Sequence, residues 1–278
     1  MDIGLFPLVL LGAAAVMLAV MWLGFRVPAR VRIPDLGDGS QALEKVPVPE
    51  GLPAPVERFY RAAFGEQVPV PRSVVMYGRG TFRVRKLPLV GFLWAPLSWT
   101  LHLAPGQAFV WQARVYWLRR MLVDGGDQYR EGKGRFVMGK EVIEGDNLDY
   151  SEQVVLWLYT IYFSPGALLD LPAAAWHERG EHAAGLTVRD GGRELSFTLH
   201  FDPASGHLAR IETQRPASKA GTLYPFQLVL SQPRELDSGV MLPSQMGAAW
   251  EDDFYTYYQV LGARYNAPAA DVIQAGVG

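Results

Sequence analysis

From Ile3 to Phe25 the sequence IGLFPLVLLGAAAVMLAVMWLGF carries no charged side chain, and this run constrains the chain more than any other part of it. As a helix rising about 1.5 Å per residue it spans about 34 Å, enough for the hydrocarbon core of a bilayer. Twelve of its residues are Leu, Ile, Val or Phe, together worth about −4 to −7 kcal/mol on the insertion scale. The run is therefore expected to cross a membrane once. Pro7 sits near its start, where a missing amide donor matters least. Gly12, Ala13, Ala14 and Ala15 form a small-residue patch that either admits another helix at close range or serves as ordinary helix filler. Only Met1 and Asp2 precede the run, without the Lys or Arg that opens a cleavable signal peptide, so an uncleaved anchor is expected. Arg26, Arg30 and Arg32 follow it directly. The positive-inside rule then places the remainder on the cytoplasmic side of a cell inner membrane, with a periplasmic orientation left open.

The rest of the 278 residues divides by composition. Residues 1–25 are read as the anchor and 26–55 as a linker, because six prolines and the run DLGDGS between Val27 and Glu57 favour extended backbone over helix. A globular domain is expected over 56–266, followed by a tail at 267–278. Its first element, VERFYRAAF, has apolar groups at helical spacing. From Ser73 onward the apolar period switches to two. In FVWQARVYW, Phe109, Trp111, Ala113, Val115 and Trp117 share one face, and in ELSFTLHF, Leu195, Phe197, Leu199 and Phe201 do the same. Turn residues at Asp190-Gly191-Gly192, at 202–206 and at Asp237-Ser238-Gly239 separate twelve strand candidates in hairpin order: 73–86, 97–104, 108–118, 120–129, 133–143, 175–180, 184–190, 193–202, 207–215, 224–235, 240–250 and 254–265. The fold class is mainly β, an antiparallel curved sheet forming a half-barrel, barrel or sandwich. One helix interrupts it. Asp149 and Glu152 have capping-box spacing ahead of VVLWLYTIYF, which Ser164-Pro165 ends, and a body so apolar on every side is expected to be buried in the sheet's concave face.

Several kinds of chemistry find little footing. A net charge of −2 offers no basic surplus for nucleic acid. With no cysteine there is no disulfide, thiolate nucleophile or Cys-ligated metal. His102, His177, His182, His200 and His207 lack metal-ligand spacing and read as ordinary surface histidines. The acidic groups at Asp124, Asp127 and Glu131, and at Glu144, Asp146, Asp149 and Glu152, read as solvated loop charge. The glycines of DGGDQYREGKG lack the order of a phosphate loop and are expected to serve hairpin geometry. No nucleophile-and-base motif is present. No cofactor is expected, and the chain is not expected to be an enzyme.

The succession LPAPVERFYRAAF, VPRSV, FVWQARV, DQYREGKG, the SEQ-led helix with SPGALL, then DGGRELSFTLHFD, RIETQRP and LPSQMGAAW resembles an uncharacterised bacterial family of membrane-anchored domains of unknown function. The likeness runs over most of 51–265, with departures at Phe163 before Ser164-Pro165 and in WEDDFYTYY. It implies a β-rich domain behind an N-terminal hydrophobic segment and carries no established activity. A looser analogy, in fold only, is to half-barrel lipoprotein carriers.

These features lead first to a non-enzymatic interaction protein, an accessory or stabilising subunit of a larger membrane complex whose partners are the bilayer and other integral membrane proteins. The alternative is a carrier or sensor of a lipid or other apolar ligand. Its groove would be lined by Trp99, Trp111 and Trp117 with Trp157, Tyr159, Tyr162 and Phe163 of the apolar helix.

Overall fold

The protein is described from a computed structural model, which covers residues 5–34, 42–83, 93–169, 171–217, 221–236 and 239–267. The first residues of the apolar run, DLGDGS, the last residues of the first strand candidate, Asp237-Ser238 and all of the tail after Ala267 lie outside the described residues. The apolar run forms a helix, α1, over Leu5–Gly24. From Pro7 to Gly24 it is long and apolar enough to cross a membrane, and almost none of it is covered by the rest of the chain. Within the stretch read as a linker, Glu44–Pro47 forms a strand, β1, paired antiparallel with β2 at Gln67–Val70. Proline-rich composition favours extended backbone, and a distant partner turns that backbone into a ladder that no local pattern announces. Between them lies α2, Ala54–Phe64, which buries Val56, Phe59, Tyr60 and Ala63 on its apolar stripe.

Thirteen strands then build one antiparallel sheet. The first meander is β3 Val74–Arg83, β4 Trp94–Ala104, β5 Ala108–Trp117, β6 Arg120–Arg130, β7 Lys133–Met138 and β8 Glu141–Ile143. The second is β9 Ala174–Gly180, β10 Ala183–Asp190, β11 Arg193–Phe201, β12 Leu208–Pro216, β13 Leu223–Glu235, β14 Met241–Trp250 and β15 Asp253–Tyr265. The candidate at 133–143 splits into β7 and β8 at Gly139, which takes φ +61° in the turn. The meanders join where β15 pairs with β3, so the first and last strands of the sheet meet at its centre. β8 and β9 are free edges, and the curved sheet does not close.

The connection between those edges is α3, Asp146–Phe163. It lies against β6 and β7 of one meander and β12 of the other. Fourteen of its eighteen residues are buried, among them every residue of the apolar body Val154–Phe163 except the half-buried Tyr159, as all-round apolarity there predicts. Turns from both halves of the sheet hold it. Gly106, in the β4–β5 turn, donates its amide to Thr160 Oγ1 at 3.0 Å, and Trp157 Nε1 donates to Asp190 Oδ2 of the β10–β11 turn at 2.9 Å. Tyr162 donates to the Pro243 carbonyl on β14, and Tyr60 of α2 to the Pro165 carbonyl just past the helix. Leu195, Phe197, Leu199 and Phe201 all face this core, as their alternation predicts.

The helix start differs from the capping-box expectation. The N-cap of α3 is Gly145, four residues before Asp149, and Asp149 and Glu152 lie inside the helix. The Asp149 carboxylate accepts from the Gly134 amide at 2.8 Å and from Lys133 Nζ at 2.7 Å, so a tertiary contact with β7 has taken the acceptor that a cap would have used. Trp157→Ala removes a large buried side chain and its anchor to Asp190. It is expected to destabilise the domain by about 3–5 kcal/mol, read as a lower denaturant midpoint with an unchanged slope.

Candidate functional site

The residues singled out from sequence fall into three places. Trp99, Trp111, Trp157, Tyr162 and Phe163 belong to the hydrophobic core, none more than 8 % exposed, with Tyr159 packed against them. Trp99 and Trp111 meet around Tyr258, each with ring centroids 5.8 Å from it. Tyr159 lies edge-on to Phe109, and Tyr162 stacks on Phe163. The chain's own α3 occupies the concave space these rings surround. Trp117 stands apart: the register shift after Val115 breaks its row, and its Nε1 donates to the Met21 carbonyl of α1 at 3.1 Å. Gly12, Ala13, Ala14 and Ala15 are exposed on α1.

The interior also holds an ionic cluster that reading the acidic groups as solvated loop charge missed. Asp149 is 4 % and Glu152 1 % exposed. Glu152 Oε1 accepts from Arg215 Nη2 of β12 at 3.1 Å, and Arg215 Nε donates to Ser151 Oγ at 2.8 Å. The Arg215 guanidinium also lies over the rings of Phe226 and Trp250. Asp127 of β6 is half-buried as a residue, yet its Oδ1, like Glu152 Oε2, is closed off from solvent with no hydrogen-bond partner among the described residues. Burial, and then the charge of Glu152, push Asp127 well above the ordinary carboxylate range, against the pull of Arg215. Burial raises Glu152 as well. Burial also opposes charge on Arg215, but Glu152 leads the anionic groups that hold the guanidinium above its usual value. Two carboxylates thus share one buried cation. The low-dielectric solution is to keep a proton on the pair, with Asp127 the more strongly raised.

A more open site lies on the opposite, outer face of the sheet. Alternation sends Arg79 and Thr81 of β3, Trp94 of β4 and Tyr257 of β15 away from the core, while α1 ends beside them. Together with Trp22, Phe25 and Arg26 they line a groove of about 1020 Å³. Trp94 and Tyr257 lie with centroids 5.1 Å apart, and Tyr257 stacks on Phe254 at 5.4 Å. Gly247 makes this aromatic floor possible: a Cβ there would come within 2.9 Å of Phe254 and 3.0 Å of Tyr257. Arg26 lies over the Trp22 ring at 4.5 Å, and Arg79 donates to Gln259 Oε1 at 3.0 Å. Among the described residues that line it there is no carboxylate. The groove therefore combines apolar rings with the cations Arg26 and Arg79, a surface suited to an amphipathic molecule bearing an acidic group. Sequence reasoning gave weight to the inward-facing tryptophans. The available signal was the outward aromatic in FYTYY, but only the β15–β3 pairing and the docked end of α1 bring these residues together.

The interior cluster makes a pH prediction. Because the folded-state value of Asp127 is raised, its contribution to stability is complete below the unfolded carboxylate value of about 3.9 and is lost as pH rises through the folded value. Relative to wild type, Asp127→Asn should gain stability progressively as pH rises above the unfolded carboxylate value, because only the wild type must then give up or retain a buried proton. Burial lowers His102, which favours folding in the opposite pH direction, but His102 is common to both proteins and cancels in the difference. Denaturation of both at several pH values checks this.

Among solved structures, a putative outer membrane lipoprotein-sorting protein domain from Vibrio parahaemolyticus is similar at 8 % identity and TM-score 0.41, covering 77 % of this chain and 90 % of that one. A β-barrel-like protein of a domain of unknown function (DUF1849) from Brucella abortus is similar at 8 % identity and TM-score 0.26, covering 70 % and 98 %. At such overlaps neither says what this chain binds. No curated protein matches the sequence. The model of a family of unknown function, DUF6544, matches residues 42–260, most of the chain and all of the sheet up to the middle of β15, and the protein belongs to that family.

Proposed function

We propose that this protein is a membrane-tethered, non-catalytic binding protein that takes an amphipathic, acidic lipid-like molecule in the groove where α1 meets the outer face of the sheet. The observation that carries this reading is the shared construction of the groove. One wall, Trp22, Phe25 and Arg26, closes a helix able to cross a bilayer, and the other, Trp94, Phe254 and Tyr257, belongs to the sheet. A lipid leaving the bilayer along α1 would exchange one apolar surface for another without passing through water, while Arg26 and Arg79 offer its acidic group charge-assisted hydrogen bonds. This is the ligand-carrying alternative moved from the inner to the outer face of the sheet, since α3 fills the inner one.

The accessory-subunit reading has a narrower support, the open surface around Gly12, where a Cβ would meet nothing within 4 Å. Other integral membrane proteins would bind there along α1, leaving the groove free.

Native mass spectrometry of the full chain released from membranes tests the binding reading. Wild type is expected to carry an acidic lipid. A double variant, Trp94→Ala with Tyr257→Ala, should lose the adduct while keeping its thermal midpoint, because the two rings sit on the outer face and not in the core. A wild-type spectrum without bound lipid, or an adduct equally abundant in the variant, would contradict it.

A further inference from the structure

The hairpin joining β5 to β6 has an unusual tip. Trp117 pairs with Arg120, leaving a two-residue turn of Leu118 and Arg119 at φ +47° and +63°. Such turns favour Asn-Gly, and a branched Leu in the left-handed region is held there at a cost of about 1 kcal/mol or more. The apolar side chains beside this turn are left only about half covered by the described residues. Leu118 is 43 %, Met121 54 % and Leu122 53 % exposed, and Arg119 and Arg120 are exposed between them. Three large apolar side chains interleaved with two arginines on a projecting hairpin suit neither water nor a protein core.

The same hairpin is fastened to the end of α1. Besides the Trp117 bond to Met21, the Leu118 amide donates to the Gly24 carbonyl at 3.0 Å. Gly24 permits this approach, since a Cβ there would lie 2.0 Å from the Trp117 indole nitrogen. A charge-free helix of twenty residues has about the length of the hydrocarbon core, so its last turn ends at the boundary between acyl chains and head groups. Arg26 follows at once. Whatever is hydrogen-bonded to Met21 and Gly24 sits at that same depth.

We propose that the β5–β6 hairpin tip is a second lipid contact: Leu118, Met121 and Leu122 enter the acyl boundary of the leaflet where α1 ends, and Arg119 and Arg120 meet lipid phosphates. Leucine, methionine and a flanking tryptophan are at home in this layer, and arginines beside it are drawn to anionic head groups. The bilayer supplies the partner that the exposed tip lacks among the described residues. Two attachments in place of one remove the freedom of the domain to swivel about its tether. The inference rests on α1 lying in a bilayer and not on ligand binding in the groove, so either reading can fail alone.

The chain contains no cysteine, which makes single-cysteine labelling clean. Full-length Met121→Cys and Leu122→Cys, each carrying an environment-sensitive NBD probe, are reconstituted into phosphatidylcholine/phosphatidylglycerol vesicles with and without brominated acyl chains. Leu18→Cys in α1 is the buried reference, and Ala204→Cys, on the exposed β11–β12 turn, is the aqueous one. The hairpin probes are expected to emit to the blue of the Ala204 probe and to be quenched by brominated lipid, with Arg119→Glu/Arg120→Glu weakening the quenching. Hairpin probes that emit and quench like the Ala204 probe while Leu18 is quenched would overturn the proposal. So would a Leu18 probe that brominated lipid does not reach.

Discussion

Two hydrogen bonds between the last turn of α1 and the tip of the β5–β6 hairpin decide how this molecule is arranged. They satisfy carbonyls that every helix leaves without intrahelical partners at its C-terminus, and they do so with an indole and an amide from a strand end nearly a hundred residues away. Gly24 is the hinge of the contact, because any side chain there would occupy the space of the Trp117 ring. Without this junction α1 would point in an arbitrary direction. With it, the outer face of β3, β15 and β14 is turned toward the helix end, and the groove acquires two walls of different origin.

The remainder of the domain supplies rigidity. A thirteen-stranded open sheet has two unpaired edges and a concave face that would otherwise expose apolar side chains. α3 resolves the second problem by filling the concavity against β6, β7 and β12, while β8 and β9 stay at the ends of the sheet. Its polar contacts come mainly from its N-terminal half, where Asp149, Ser151, Glu152 and Gln153 reach strands and turns on both sides. The Asp127–Glu152–Arg215 cluster belongs to this structural role. A buried ion pair adds little net stability, but losing one partner strands a charge in a dry interior, which ties the two meanders to one mutual arrangement.

Much of this was legible from residue order. Alternation in FVWQARVYW and ELSFTLHF placed the strands and, except at Trp117 beyond the register shift, their inner faces; turn residues separated the hairpins, and the all-round apolarity of Val154–Phe163 marked a covered helix. Local patterns cannot show partners far away in sequence. That β15 pairs with β3, that Glu44–Pro47 finds β2, and that Asp149 serves Gly134 in place of a cap are all set by tertiary contacts. The site suffered most from this limit. Inward tryptophans such as Trp99 and Trp111 have the strongest sequence signal because core packing demands the pattern. Trp94 and Tyr257, outward and 5.1 Å apart, have none until the sheet brings them together.

A fixed junction between α1 and the hairpin underlies both the groove and the lipid contact of the tip. Pulsed electron paramagnetic resonance on Val20→Cys/Met121→Cys, spin-labelled in the full chain and held in lipid nanodiscs, reads that junction directly. A single narrow distribution of short distances is expected, which broadens and lengthens when Gly24→Val drives the helix off Trp117. A broad distribution in the unaltered background, no different from that of the Gly24→Val protein, would contradict it.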